Sequence, residues 1–139
     1  MSDTLDYASL ARFRFLLRRF LAFSASRARA AGLEPRQHQL LLALRGLAPE
    51  RQPTIGALAE DLLIQHHSAV ELVTRMENSG LVRRERDESD RRVVLIRISP
   101  RGKKLLRRLT SMHTDELRTA GPALVTALEQ VLADHNPGA

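Results

Sequence analysis

The sequence predicts a mainly α-helical chain with one small β-hairpin, a winged helix-turn-helix flanked by N- and C-terminal helical arms. Three observations predict it. Two short amphipathic patterns stand in tandem, at 54–62 and 65–79. A β-branched run, Val93–Ile98, follows them behind a polar tip, Asp87–Asp90. Apolar stripes at helical spacing run through both ends of the chain.

The first stripe, from about Leu5 to Ala30, places Leu10, Phe13, Leu17 and Leu21 on one face, with Leu16, Phe20 and Phe23 beside them. All four Phe of the chain lie on this helix, and the stripe is wider than a 139-residue monomer covers easily, which predicts a subunit interface. Gly32 ends the helix, and Pro35 opens a second one with Leu40, Leu41, Leu44 and Leu47 inward. After the loop Ala48–Pro53, Thr54 caps a short helix with Ile55, Leu58, Ala59 and Leu62 at i, i+3, i+4 and i+7.

A turn at Leu63-Ile64 leads to a helix from about Gln65 to Ser79, whose inward stripe is Ala69, Leu72, Val73 and Met76, with Gly80 as a left-handed terminator. Its opposite face carries His67, Glu71, Thr74 and Asn78, and Glu71 is expected to pair with Arg75 one turn on. Leu81–Arg86 then pairs with Val93–Ile98 as a hairpin. Ser99 caps the next helix with Pro100 at its first position and Leu105, Leu109 and Met112 inward. Gly121-Pro122 is expected to break that helix from a last one bearing Leu124, Leu128, Val131 and Leu132, and Asn136–Ala139 to fray. The expected division is 1–47 for the N-terminal helices, 48–98 for the winged lobe and 99–139 for the C-terminal helices.

Charge locates the functional surface. Leu81–Arg108 holds eleven Lys/Arg and four Asp/Glu, a balance of +7. The remainder of the 22 basic and 16 acidic residues leaves eleven against twelve, or −1. The whole excess therefore sits on the hairpin and its flanks, as suits a surface meeting DNA phosphates. With no Cys, a disulfide framework, a thiolate zinc site and a cysteine redox switch are excluded. The opening Met-Ser-Asp-Thr lacks a basic n-region, and the longest uncharged run, Thr119–Leu128, is ten residues, so a soluble cytoplasmic protein without membrane contact is expected. The chain shows no phosphate-binding glycine loop, nucleophile elbow or HExxH spacing, and an enzyme is not expected.

The segment Leu58–Leu106 resembles the multiple antibiotic resistance regulator (MarR) family: the helix-turn-helix, then Gly80-Leu81-Val82, then Asp90-Arg91-Arg92, then Ser99-Pro100-Arg101-Gly102 stand in the family's order and spacing. The resemblance extends over nearly the whole chain. It implies a bacterial homodimer whose terminal helices interlock, with each subunit presenting a winged helix to one half-site of a pseudo-palindromic operator. It also implies a repressor released by a small anionic or aromatic effector.

The first turn of a recognition helix reaches base edges most easily, which nominates Gln65, His66, His67 and Ser68, with Thr74 and Arg75 further along. N-capping is the alternative role for Gln65 and Ser68. The resemblance gives Asp90 the role of wing brace, Arg92 that of minor-groove reader and Arg91 a phosphate contact. It also nominates an effector pocket from Arg12, Phe13, Leu17, His38, Leu41, Leu42 and Arg45, against the alternative that these residues simply pack.

No metal or cofactor is expected. His66 and His67 point about 100° apart on a helix, while His38, His113 and His135 are scattered. The competing functional reading is a nonspecific architectural DNA-binding protein without an effector.

Overall fold

Seven elements follow one another along residues 5–133, the part of the chain that the computed structural model describes: α1 (Tyr7–Ala30), α2 (Pro35–Arg45), α3 (Ile55–Leu62), α4 (His66–Asn78), β1 (Val82–Arg86), β2 (Val94–Ile98) and α5 (Pro100–Ala133). His135 and Asn136–Ala139 lie outside the described residues. The chain divides into two compact units, one of residues 28–109 and the other of residues 1–27 with 110–139.

In the first unit, α2, α3 and α4 and the hairpin close on a core of Leu33, Leu40, Leu41, Leu58, Leu72, Val73, Met76, Leu81, Ile96 and Leu109. Leu72, Val73 and Met76 are fully buried, and burial of such side chains contributes about 1.5–3 kcal/mol each. Because α2 packs on α3, α4 and β2, this unit begins at Ala28. α2 supplies Leu40 and Leu41 to this core.

Local signals fix the element ends. Gly32 (φ +85°) and Gly80 (φ +75°) both adopt the left-handed conformation that stops a helix. At the second of these, Leu81 N–H returns to Met76 O at 2.9 Å and Gly80 N–H to Glu77 O at 3.0 Å, so the freed carbonyls are satisfied as the chain turns into β1. Thr54 Oγ1 accepts from Ala57 N–H at 3.1 Å and starts α3. Ser99 Oγ accepts from Gly102 N–H at 3.0 Å to start α5, and donates toward the carbonyls of Gly80 and Leu81.

Gly102 meets the hairpin closely. A Cβ built there would lie 2.4 Å from Leu81 O and 2.9 Å from Ile98 Cγ1, so the first turn of α5 can rest on the base of β1 only because this residue has no side chain. That contact is the physical content of the Ser-Pro-Arg-Gly motif.

The second unit is helical. His113 lies edge-on to Phe20 and Phe23, with ring centroids 6.0 and 5.5 Å away, and its Nε2 is 2.7 Å from Ser24 Oγ. Many of its apolar side chains remain open, among them Leu10, Phe15, Leu21, Val125 and Leu132, each at least 48% exposed.

Two expectations about α5 fail. The helix runs unbroken from Pro100 to Ala133 with Pro122 inside it. Proline removes one N–H and crowds both the carbonyl four positions back and the residue before it; that residue is Gly121, whose missing Cβ relieves the second of these clashes. Of the expected inward stripe, Leu109 is buried and Leu105 packs against the core, but Met112 is 37% exposed, and Leu106 is buried instead.

Candidate nucleic-acid interface

α4 is built to show a polar face. Its apolar stripe, Ala69, Leu72, Val73 and Met76, is wholly buried, which forces His67, Glu71, Thr74 and Asn78 outward, and all four are exposed. Gln65 is the N-cap residue but its side chain makes no cap hydrogen bond, leaving it exposed with His66 and His67, while Ser68 is half-buried. The turn before it holds Leu63 at φ +56°, ψ +42°, a left-handed conformation for a leucine that is 92% exposed.

The outward polar groups are not all free. Thr74 Oγ1 donates to Val70 O at 3.0 Å and accepts from Arg84 Nη2 at 3.0 Å, so its one donor and one of its two acceptor lone pairs are used within the protein. Arg75 pairs with Glu34 at 3.1 Å, across from the start of α2, rather than with Glu71. The i,i+4 pairing expected for Glu71 is displaced because a carboxylate on another element reaches the same guanidinium.

The wing is a two-stranded antiparallel sheet in the register Val82↔Ile98, Arg84↔Ile96 and Arg86↔Val94. At its tip Asp87 N–H donates to Val93 O at 2.9 Å and Val93 N–H to Asp90 O at 3.0 Å. The Asp90 carboxylate binds Arg92 through its backbone N–H, Nε and Nη2. The hydrogen bonds from the Arg92 side chain and then its backbone hold the Asp90 carboxyl below the usual range. Arg86 Nη1 donates to Arg91 O at 2.9 Å. Arg91 makes no ion pair among the described residues, and the Arg92 side chain is 90% exposed.

Sequence reasoning missed the residues that join wing to helix. Arg84 donates its backbone N–H to Glu77 Oε2 at 3.0 Å and its Nη1 to Glu77 Oε1 at 2.7 Å. The backbone hydrogen bond, then that from the guanidinium, draws the Glu77 carboxyl below its ordinary value. Only the alternation of Arg83, Arg84 and Arg86 hinted that one of them turns inward.

The residues nominated for an effector divide between the two units. In the helical unit Arg12 is exposed, Phe13 half-buried and Leu17 exposed. Arg12 lines a cleft of about 270 Å³ with Leu16, Arg19, Phe20, Glu116 and Leu124. In the lobe His38 and Leu41 are buried, Leu41 within the core, whereas Leu42 and Arg45 are exposed.

A short helix with a buried stripe and a polar outer face, followed at once by an arginine-tipped hairpin, is the arrangement of a winged helix-turn-helix. Residues 31–93 match the model of the MarR family. That segment is similar to the MarR family, and the chain has the fold of solved MarR-family proteins.

Among curated proteins the chain is similar to an uncharacterized HTH-type transcriptional regulator, YsmB of Bacillus subtilis, at 32% identity over 65 residues. That match spans 47% of this chain and 44% of YsmB, less than half of either. Among solved structures it resembles a mutant of S. aureus MepR bound to an oligodeoxyribonucleotide (TM-score 0.70, 17% identity, 94% of this chain and 100% of that one). It also resembles CouR from Rhodococcus jostii RHA1 bound to p-coumaroyl-CoA (TM-score 0.69, 22% identity, 84% and 80%). Among the described residues, no helix is long and apolar enough to cross a membrane.

Proposed function

We propose that this protein is a homodimeric, sequence-specific repressor that reads a pseudo-palindromic operator in double-stranded DNA and works in the bacterial cytoplasm. One observation carries the reading: a single compact unit presents both the open first turn of α4 and, on a braced hairpin, an Arg92 side chain that is 90% exposed. The first element suits base edges in a major groove, and the second suits the negative potential of a narrow minor groove. In this reading Gln65, His66, His67 and Ser68 read bases, Arg91 meets phosphate and Arg92 enters the minor groove. The oligonucleotide complex of the MepR mutant supports DNA as the partner.

The dimer rests on the open apolar faces of α1 and α5. Leu10, Leu21, Val125 and Leu132 are each at least 49% exposed, and large apolar side chains left open in this way suit a subunit interface. The effector is a small anionic or aromatic compound. CouR, captured with an aromatic acyl-CoA, supports that class.

Selection of bound fragments from random-sequence DNA tests the reading. A two-fold-related motif with half-site centres about one helical turn apart is the expected product. Recovery of unrelated fragments would instead indicate an architectural binder.

A further inference from the structure

The wing is pinned at one rung, from both sides. In a two-stranded sheet each strand keeps an outer edge, and at the Arg84↔Ile96 pair both backbone N–H groups point outward, away from the partner strand. Arg84 N–H is taken by Glu77 Oε2 of α4 at 3.0 Å, and Ile96 N–H by the carbonyl of Pro53, in the loop before α3, at 2.8 Å. The Pro53 loop is itself anchored. Arg51 donates to Ala57 O at 3.2 Å, pairs with Glu60 at 2.7 Å and pairs with Asp61. On the Glu77 side the attachment is doubled by the Arg84 guanidinium, which spans Glu77 Oε1 and Thr74 Oγ1.

From this geometry we infer that Glu77 and Arg84 are positioning residues for DNA recognition: they set the angle between the recognition helix and the wing without touching DNA. A duplex fixes the separation of its grooves, so a protein that reads both must hold its two probes at a matching separation. The covalent joint between α4 and β1 is a glycine turn, and the part-buried bonds from Glu77 tie helix to strand beyond it. The Thr74 hydroxyl belongs to this device and not to base readout. Glu77 is held as a carboxylate at neutral pH, so the device is set under ordinary conditions.

The inference rests on the DNA-binding reading, and its test separates the two. Affinity for the selected operator is measured for the parent protein, Glu77→Ala, Glu77→Gln, Arg92→Ala and the Glu77→Ala/Arg92→Ala double variant. Glu77→Ala is expected to weaken binding about ten-fold in the parent background and less than two-fold once Arg92 is gone, because its effect passes through the wing. Glu77→Gln, which keeps an oxygen for the Arg84 N–H, restores most of the affinity. Losses that simply multiply in the double variant would overturn the inference while leaving the DNA reading intact.

Hydrogen exchange provides a readout independent of DNA. In Glu77→Ala the cross-strand amides of β1 and β2 should exchange about ten-fold faster, with the buried amides of α4 unchanged. Parent-like exchange in the hairpin would overturn the inference whether or not DNA binds.

Discussion

The Asp90 carboxylate takes three hydrogen bonds from one residue, Arg92: its backbone N–H at 3.1 Å, Nε at 3.0 Å and Nη2 at 3.0 Å. The two side-chain bonds form the planar fork that fixes a guanidinium in direction as well as place. They use two of its five donors, so three remain for an acceptor outside the protein.

Arg92→Ala should therefore weaken operator binding by about ten-fold, within the cost of one lost specific contact. Asp90→Asn, which leaves the cation but loosens its aim, should weaken it by about two- to five-fold, the scale of an exposed ion pair. Thermal melting should change little in either variant. Fluorescence anisotropy titrations measure the affinities, and parent-like binding by both variants would remove the wing tip from the site.

Gly102 carries a stability prediction. The Cβ of an alanine would fall against the Leu81 carbonyl and the Ile98 side chain. Gly102→Ala should then cost about 1–3 kcal/mol, the usual penalty of overpacking, as the first turn of α5 is pushed off the hairpin. Urea unfolding gives the value, and an unchanged midpoint would show that the junction yields without strain.

Leu63 predicts the opposite sign. A left-handed conformation costs a β-carbon-bearing residue about 1–2 kcal/mol, of which the greater unfolded-state freedom of glycine returns about 0.5–1. Leu63→Gly should thus stabilise the fold modestly. The leucine makes no buried contact to lose, being 92% exposed. A lower melting temperature in the variant would contradict the strain assignment.

Acid should release these two wing attachments only below the ordinary carboxylate range. Glu77 and Asp90 both titrate below their ordinary range because Arg84 and Arg92 hydrogen-bond their charged forms. A carboxyl lowered in the folded state contributes stability above its unfolded pKa and loses it as pH falls through the folded value. Both attachments accordingly hold through neutral and mildly acidic pH and fail below the ordinary carboxylate range. Carboxyl NMR titration should show these two groups among the last to protonate, and titration at ordinary values would refute the pairing.

Patterns of one period or one turn were legible in the sequence, and relations between elements were not. The inward stripe of α4, the cap at Thr54, the left-handed Gly80 and the hairpin each depend on residues a few positions apart, and up to the start of α5 the expected helices and strands match the observed ones to within two residues. Gly121-Pro122 misled because the missing Cβ of Gly121 relieves one of the two clashes that proline brings, a matter of local sterics rather than of pattern. The Glu71–Arg75 pairing failed because Glu34, 41 positions away in sequence, takes the same arginine. Glu77 gave no signal of its own: its partner lies on a strand, and an acidic residue on a polar helix face looks like solvent-exposed charge until the turn at Gly80 brings Arg84 beside it.

The central claim is that the lobe reads sequence rather than charge alone. Its most direct test is a pair of anisotropy titrations at physiological salt, one with the operator recovered by selection and one with a scrambled duplex of equal length and composition. The account predicts binding to the operator at least about a thousand-fold tighter, and equal affinities for the two duplexes would contradict it.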